Sequence, residues 1–322
     1  MSDSLDHSLI NLPQRIESID VLRGITILVM LFVNDIAGVR GLPSWMKHVS
    51  ANIDGMTFVD VVFPAFLFIV GMAIPFAIGR RFESGQTLWQ IWRHILIRSL
   101  GLLIIGVIMV NSDSVSGEGI INPDLWILLA YAAIILIWNQ PPKTKNVFLS
   151  RLRIAGMILL ITLVFLYRGN EATGIVQLRT KWWGILGLIG WAYLITCIIY
   201  IPLRKNIAGL VGAISLLYCI FIADEAGFFS GLPWIKSWIN IGSTWGSHSA
   251  IVVSGVVLGM ILRPDSSVQT HFVRIRWALL YGLGLAAAGI LLHSLHDVHK
   301  IFIINKILAT PPWCLLSSAI MV

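Results

Sequence analysis

The sequence predicts an all-α, polytopic transmembrane helix bundle of about ten helices, and three observations carry that prediction. Hydrophobic residues fill 57% of the 322 positions. Charged residues fill only 12%, about half the share a soluble domain carries. Apolar runs recur along the whole chain with no long polar stretch between them. With a mean hydropathy of +0.84, most of the surface needs lipid as its solvent, and a soluble enzyme or a nucleic-acid-binding domain is excluded.

Crossing about 30 Å of hydrocarbon at 1.5 Å per residue takes roughly 17 to 25 mostly apolar residues. In chain order the runs are Gly24–Val39, Phe58–Ile78, Ile95–Val110, Leu125–Trp138, Ile154–Tyr167, Trp182–Leu203, Ile207–Ala223, Ser249–Leu262 and Trp277–Leu292. The shorter ones are expected to extend into their polar flanks or to be shielded inside the bundle. Helices are required because lipid offers no partner to a free backbone group. A tenth run begins at Trp313 and stops at Val322. It is too short to span, so the last helix is expected to be cut short by the end of the chain. The organisation expected is a cytoplasmic N-terminal segment, 1–23, and a single transmembrane domain, 24–322.

Met1–Gln14 is polar and contains Asp3, Asp6 and Pro13. It has neither the basic start nor the small-residue cleavage site of a secretory signal, so the first helix is expected to remain as an uncleaved anchor. Lys and Arg retention on the cytoplasmic side sets the orientation. With the N-terminus inside, the inner segments hold Arg15, Arg23, Arg80, Arg81, Arg93, Arg98, Lys143, Lys145, Arg151, Arg153, Arg204, Lys205, Arg263, Arg274 and Arg276, the larger share of the 23 basic residues. The net charge of +7 is then a topology signal with attraction to anionic headgroups. Cys197, Cys219 and Cys314 all fall in apolar runs, which predicts buried free thiols without a disulfide framework.

Ionisable groups at membrane depth are costly and mark candidate sites. They are densest around the first two helices. The first apolar run ends Phe32-Val33-Asn34-Asp35, a loop carries His48 and Asp54, and the second helix opens Phe58-Val59-Asp60. His48, Asn34, Asp35, Asp54 and Asp60 are expected to converge at the outer mouth of the bundle. An imidazole beside carboxylates suits a general base, because its ordinary pKa of about 6.5 is adjusted by such neighbours. The plainer explanation of His48 is a loop histidine at headgroup level. For Asp60, an acceptor that fixes helix packing competes with a role in substrate binding. Asp20 and Arg23, three apart on one helix face, predict an ion pair. Arg80, Arg81, Arg93 and Arg98 form an arginine set suited to phosphate and are the expected cofactor-binding residues, although cytoplasmic retention alone also explains them. His293, His296 and His299 turn progressively off one helix face, and no metal is expected there.

The run RIESIDVLRGITILVMLFVND, the KH followed by DGMTFVDVVFPAFLFIVG, and the later INK with TPPW resemble the heparan-alpha-glucosaminide N-acetyltransferase family, in particular its bacterial members with an uncharacterised-domain label. The resemblance implies a transmembrane acetyltransferase that takes acetyl from acetyl-CoA as co-substrate and acylates an amino sugar or glycan at the extracytoplasmic face. It implies His48 as the catalytic residue, either as base or as an acetylated intermediate, and Asn34 in the acceptor site. Asn111 matches a family asparagine and equally suits a helix cap. The INK and TPPW stretch is expected to close the outer mouth. It further implies a multi-pass protein of a bacterial inner membrane, with the lipid bilayer, acetyl-CoA and the acceptor as partners and a homo-oligomer left open. This chain departs from the lysosomal members after His48, where it reads Ala51-Asn52-Ile53-Asp54-Gly55 in place of a tryptophan followed closely by Asn-Gly. The rival readings are a sugar or peptidoglycan-fragment transporter, for which Pro64 and Pro75 would permit a broken helix, and an acyltransferase with a lipid acceptor.

Overall fold

The structure is a computed structural model that describes residues 17–139, 147–171, 174–263 and 270–322. Residues 1–16 with Arg15, and also Lys143 and Lys145, lie outside the described residues. The helices are α1 (Glu17–Ile36), α2 (Phe58–Glu83), α3 (Leu88–Ser112), α4 (Pro123–Trp138), α5 (Val147–Leu166), α6 (Ile185–Leu203), α7 (Ile207–Glu225), the short α8 (Pro233–Lys236), α9 (His248–Leu262), α10 (His271–His293) and α11 (Pro311–Ile320). A π-helical segment, Ile241–Ser247, leads into α9. A two-stranded antiparallel ribbon, β1 (Gly169–Glu171) with β2 (Gly174–Val176), is the strand structure among the described residues. Each of the ten apolar runs coincides with a helix.

Seven of the described helices are long and apolar enough to cross a membrane: α2, α3, α5, α6, α7, the π segment with α9, and α10. The chain is a multipass membrane protein. Two of the nine predicted spans fall short, each for a visible reason, and the tenth run is as short as expected. α1 begins at Glu17, earlier than expected, and includes Asp20 and Arg23, which form the predicted ion pair at 3.0 Å. α4 has 16 residues and α11 has 10. Cys197, Cys219 and Cys314 are free thiols, but Cys219 is exposed where burial was expected. It lies next to buried Tyr218 on α7, and adjacent helical residues face different ways.

Two compact units divide the chain: one runs up to Ile95 and resumes over Ala192–Val322, the other is Leu96–Trp191. In the first unit α2 and α9 form the centre. Leu67, Phe68 and Ile69 of α2 and Ala250, Ile251, Val252 and Val253 of α9 have no exposed surface. Both helices are apolar all round, as fits elements enclosed on every side. Their backbones touch through glycines. A Cβ on Gly71 would collide with the Val252 carbonyl, and one on Gly255 with the Phe68 carbonyl. A Cβ on Gly259 would lie 2.6 Å from the Met72 carbonyl. Small residues permit such close approach between membrane helices. α2 remains one helix through Pro64 and Pro75, so the break that a transporter reading would use is not there.

In the second unit α4 packs on α5. Trp126 is buried, donates its indole N–H to the Leu163 carbonyl at 3.0 Å, and meets the Tyr167 ring edge-on at 5.2 Å. Asn111 at the end of α3 is buried. Its Nδ2 donates to the carbonyls of Val107 and Arg179 at 2.7 and 2.9 Å, and its own carbonyl accepts from Tyr167 at 3.0 Å. Asn111 thus ties a helix end to the segment that follows the ribbon.

Candidate functional site

The start of α2 builds the site. Thr57 is its N-cap and Asp60 its third helical residue, so the Asp60 carboxylate folds back over the first turn, where backbone N–H groups lack helical partners. Oδ2 accepts from the Thr57 amide at 3.0 Å, the Thr57 hydroxyl at 3.2 Å and the Val49 amide at 3.2 Å. Oδ1 accepts from His48 Nδ1 at 2.8 Å. Asp60 is fully buried, while the His48 side chain keeps 37% of its surface exposed. Because a carboxylate only accepts, Nδ1 carries the proton and Nε2 is left as the basic nitrogen.

Pro64 contributes one more link. Its missing N–H leaves the Asp60 carbonyl, four residues earlier, without its helical donor. The indole N–H of Trp313, at the start of α11, takes that carbonyl at 3.2 Å. Trp313 is itself fully buried.

A second loop, between the 3-10 turn Lys300–Phe302 and α11, closes over the first. Asn305 has no exposed surface and uses both ends of its amide. Nδ2 donates to the Ser50 and Ile53 carbonyls, both at 2.9 Å, and Oδ1 accepts from the Leu308 amide at 3.1 Å. The Thr310 hydroxyl accepts from the Asn305 amide at 3.0 Å and donates to the Ile303 carbonyl at 2.6 Å. Ala309 takes a φ of 51°, a left-handed conformation that costs a non-glycine residue energy and needs such support. Lys306 is thereby held over His48, with Nζ 3.1 Å from Nδ1 and 3.2 Å from Nε2. Burial pushes the Lys306 ammonium below the ordinary lysine range, opposed by the negative charge of Asp60.

Asp54 is the outer fastener. Its Oδ1 accepts from the Ile304 amide and its Oδ2 from His293 Nε2, both at 2.8 Å, and the Gly55 amide donates to the Ile304 carbonyl at 2.8 Å. Partial burial pushes its carboxyl up, but the Ile304 amide and His293 outweigh it and hold the group below its usual 3.8. A depressed carboxyl stabilises above its unfolded pKa and loses that contribution as pH falls through the lower folded value. Hydrogen-exchange protection of the Ile304 amide is therefore expected to persist at neutral pH and to fall only below pH 3.8. Protection that is constant down to strong acid would remove Asp54 as the fastener.

The predicted residues divide clearly. His48 and Asp60 are in direct contact, and Asp54 lies in the same loop. Asn34 is exposed near the end of α1, outside the hydrogen-bonded network around His48. Arg80 and Arg81 end α2, and Arg93 lies near the start of α3. Arg81 donates to Gln86 and to His94, each at 3.1 Å, and Arg80 and Arg93 are exposed. Arg98 belongs to the other unit. Of the three late histidines, His293 bonds Asp54 and stacks on His296 with ring centres 5.0 Å apart, His296 lies 3.3 Å from Asp297, and His299 accepts from the Ile301 amide at 3.2 Å. Among the described residues no group of three metal-ligating side chains is placed to hold an ion.

Lys306, Asn305 and Trp313 were present in the INK and TPPW signal, which pointed only to a closing segment. His248 carried no signal. It is buried where the π segment becomes α9, edge-on to Phe63 at 5.7 Å and to Trp313 at 6.5 Å. π-helical turns are frequent at functional sites.

A family model described as "Domain of unknown function (DUF5009)" matches residues 15–234, the stretch that holds His48, Asp60 and the arginines. The chain belongs to this family. It is also similar to heparan-alpha-glucosaminide N-acetyltransferase of Homo sapiens, 38% identical over 103 residues, and of Mus musculus, 36% identical over 100 residues. Those stretches are 32% and 31% of this chain but only 15% and 14% of the relatives. The relation to a membrane N-acetyltransferase is therefore distant and partial.

Proposed function

We propose that this protein is a membrane-embedded acetyltransferase that moves acetyl from acetyl-CoA to the amine of an amino sugar or glycan, with His48 as general base. The observation that supports this reading is the buried Asp60 carboxylate, saturated with donors, that orients an exposed imidazole through Nδ1. As the acceptor nitrogen attacks the thioester carbonyl, His48 Nε2 takes the nitrogen's proton. The C–S bond then breaks and the departing thiolate takes the proton from the imidazolium. Asp60 fixes the tautomer and stabilises the imidazolium without taking the proton itself.

The arginines fit a different role. Asp60 and Arg80 are twenty residues apart on α2, about 30 Å at the helical rise. An extended pantetheine arm of roughly a dozen bonds reaches about 15 Å. A donor whose phosphates rest on Arg80, Arg81 and Arg93 would not bring its thioester to His48. We read that set as the basic flank that keeps its end of the bundle at an anionic, cytoplasmic headgroup layer, with the His48 end extracytoplasmic.

Membranes holding the protein are expected to transfer labelled acetyl from acetyl-CoA to glucosamine, and His48→Ala is expected to lower the rate by about 10²–10⁴-fold. Transfer at the parent rate in the variant would remove His48 from the reaction. Uptake of the sugar without acylation would replace the enzyme with a transporter.

A further inference from the structure

Lys306 is placed unlike a structural lysine. Lys306 is half-buried, and among the described residues no carboxylate lies within ion-pair distance of its Nζ. The near carboxylate, Asp60, already accepts from His48, Val49 and Thr57. The partner that Lys306 has is the imidazole, with Nε2 at 3.2 Å. Nδ1 is as near, at 3.1 Å, so Nζ lies over the ring face beside Nε2, one turn of its side chain from the place an acceptor amine would take. Both are primary amines on sp³ carbon. Burial favours the neutral, nucleophilic form of Lys306. The loop that carries it is pinned by Asn305 and Thr310, while the four-carbon side chain is flexible enough to swing aside for another amine.

We propose that Lys306 is a self-acylation site, which takes an acyl group from an acyl thioester whenever no acceptor amine is present. This rests on the transferase reading. Nζ forms a bond to the thioester carbonyl carbon, its proton passes to His48 Nε2, the C–S bond breaks, and the thiolate leaves with the proton returned by His48. The product is an amide, which does not pass its acyl group on by the same route. Acylation removes the positive charge beside His48 and fills the acceptor position, so the modified chain is a blocked enzyme and acceptor amine protects it.

The test uses the full chain in membrane vesicles incubated with isotopically labelled acetyl-CoA, with label located by peptide mass spectrometry. Lys306 is expected to acquire label about 10²-fold faster than exposed Lys47 and Lys300. Glucosamine added to the same vesicles is expected to suppress it, a comparison that needs no variant, and His48→Gln is expected to abolish the excess rate. Labelling of Lys306 no faster than Lys47 and Lys300, or equally fast in His48→Gln, overturns the proposal. If glucosamine is acylated while Lys306 stays unlabelled, self-acylation fails and the transferase reading stands. If neither acquires label, both fall.

Discussion

Asp60→Asn is expected to lower acetyl transfer to glucosamine by about 10²–10⁴-fold while leaving the protein folded. The asparagine keeps the size of the residue and one carbonyl oxygen, which can still accept from the Thr57 and Val49 amides where Oδ2 accepts now. It cannot keep the rest. Its second terminal group is an NH₂, and opposite His48 Nδ1 a donor would face a donor. The imidazole answers by moving its proton to Nε2 or by rotating away, and in either case the nitrogen that faces the acceptor is no longer basic. Neutralising the carboxylate also withdraws the charge that would stabilise the imidazolium. Two measurements separate chemistry from folding: the transfer rate in membranes and the thermal midpoint in detergent. Asparagine that transfers as fast as aspartate would leave Asp60 with only the packing role that the sequence equally allowed. The larger change, Asp60→Ala, is expected to lower the midpoint as well, because it strands buried donors at the start of α2 at about 1–3 kcal/mol each.

Gly255→Val is expected to have the largest effect on stability. The first side-chain carbon would overlap the Phe68 carbonyl, with the Met72 amide 3.0 Å away. Those are backbone atoms of α2, which cannot turn aside as a side chain does. Relief comes only from separating α2 and α9, the two helices whose fully buried residues form the centre of their unit. Overpacking a tight core costs about 1–3 kcal/mol even where side chains can adjust, and this site has less freedom than that. The expected result is a sharp loss of folded protein after extraction, with a lower thermal midpoint in what remains. Gly24→Ala is the matched control. Gly24 lies inside α1 with nothing within 4 Å of the point where a Cβ would stand, and alanine is there expected to stabilise by roughly 0.5–1 kcal/mol through its helix propensity. Equal behaviour of the two variants would mean that the α2–α9 contact is not what holds this unit together. The same contact matters for the site, because α2 presents Asp60 and α9 presents His248.

Some of the site was legible in the sequence. Thr57-x-x-Asp60 reads as a helix start, and His48 with Asp60 twelve residues later was within reach of a short loop. Asp54 was placed in the right loop, although its partners, His293 and Ile304, were not foreseen. Asn34, expected in the acceptor site from the resemblance, is exposed near the end of α1. The arginines were legible as charge but not as distance. A string of letters shows that Arg80 follows Asp60 on one helix; the separation of about 30 Å appears once that helix is known to be unbroken through both prolines.

What the sequence by itself determined is the class of solvent and the kind of element. Run length, apolar content and the placement of Lys and Arg are local properties, and a bilayer converts them directly into helices because it leaves no other way to satisfy the backbone. What only the tertiary structure decided is the company His48 keeps. Lys306 lies 258 residues away along the chain, and Asn305 reaches back 255 residues to the Ser50 carbonyl. Contacts at such separation come from how α2, α9 and α11 pack, and packing depends on the mutual fit of glycines, a proline-freed carbonyl and an indole. No one of these shows its partner in the sequence.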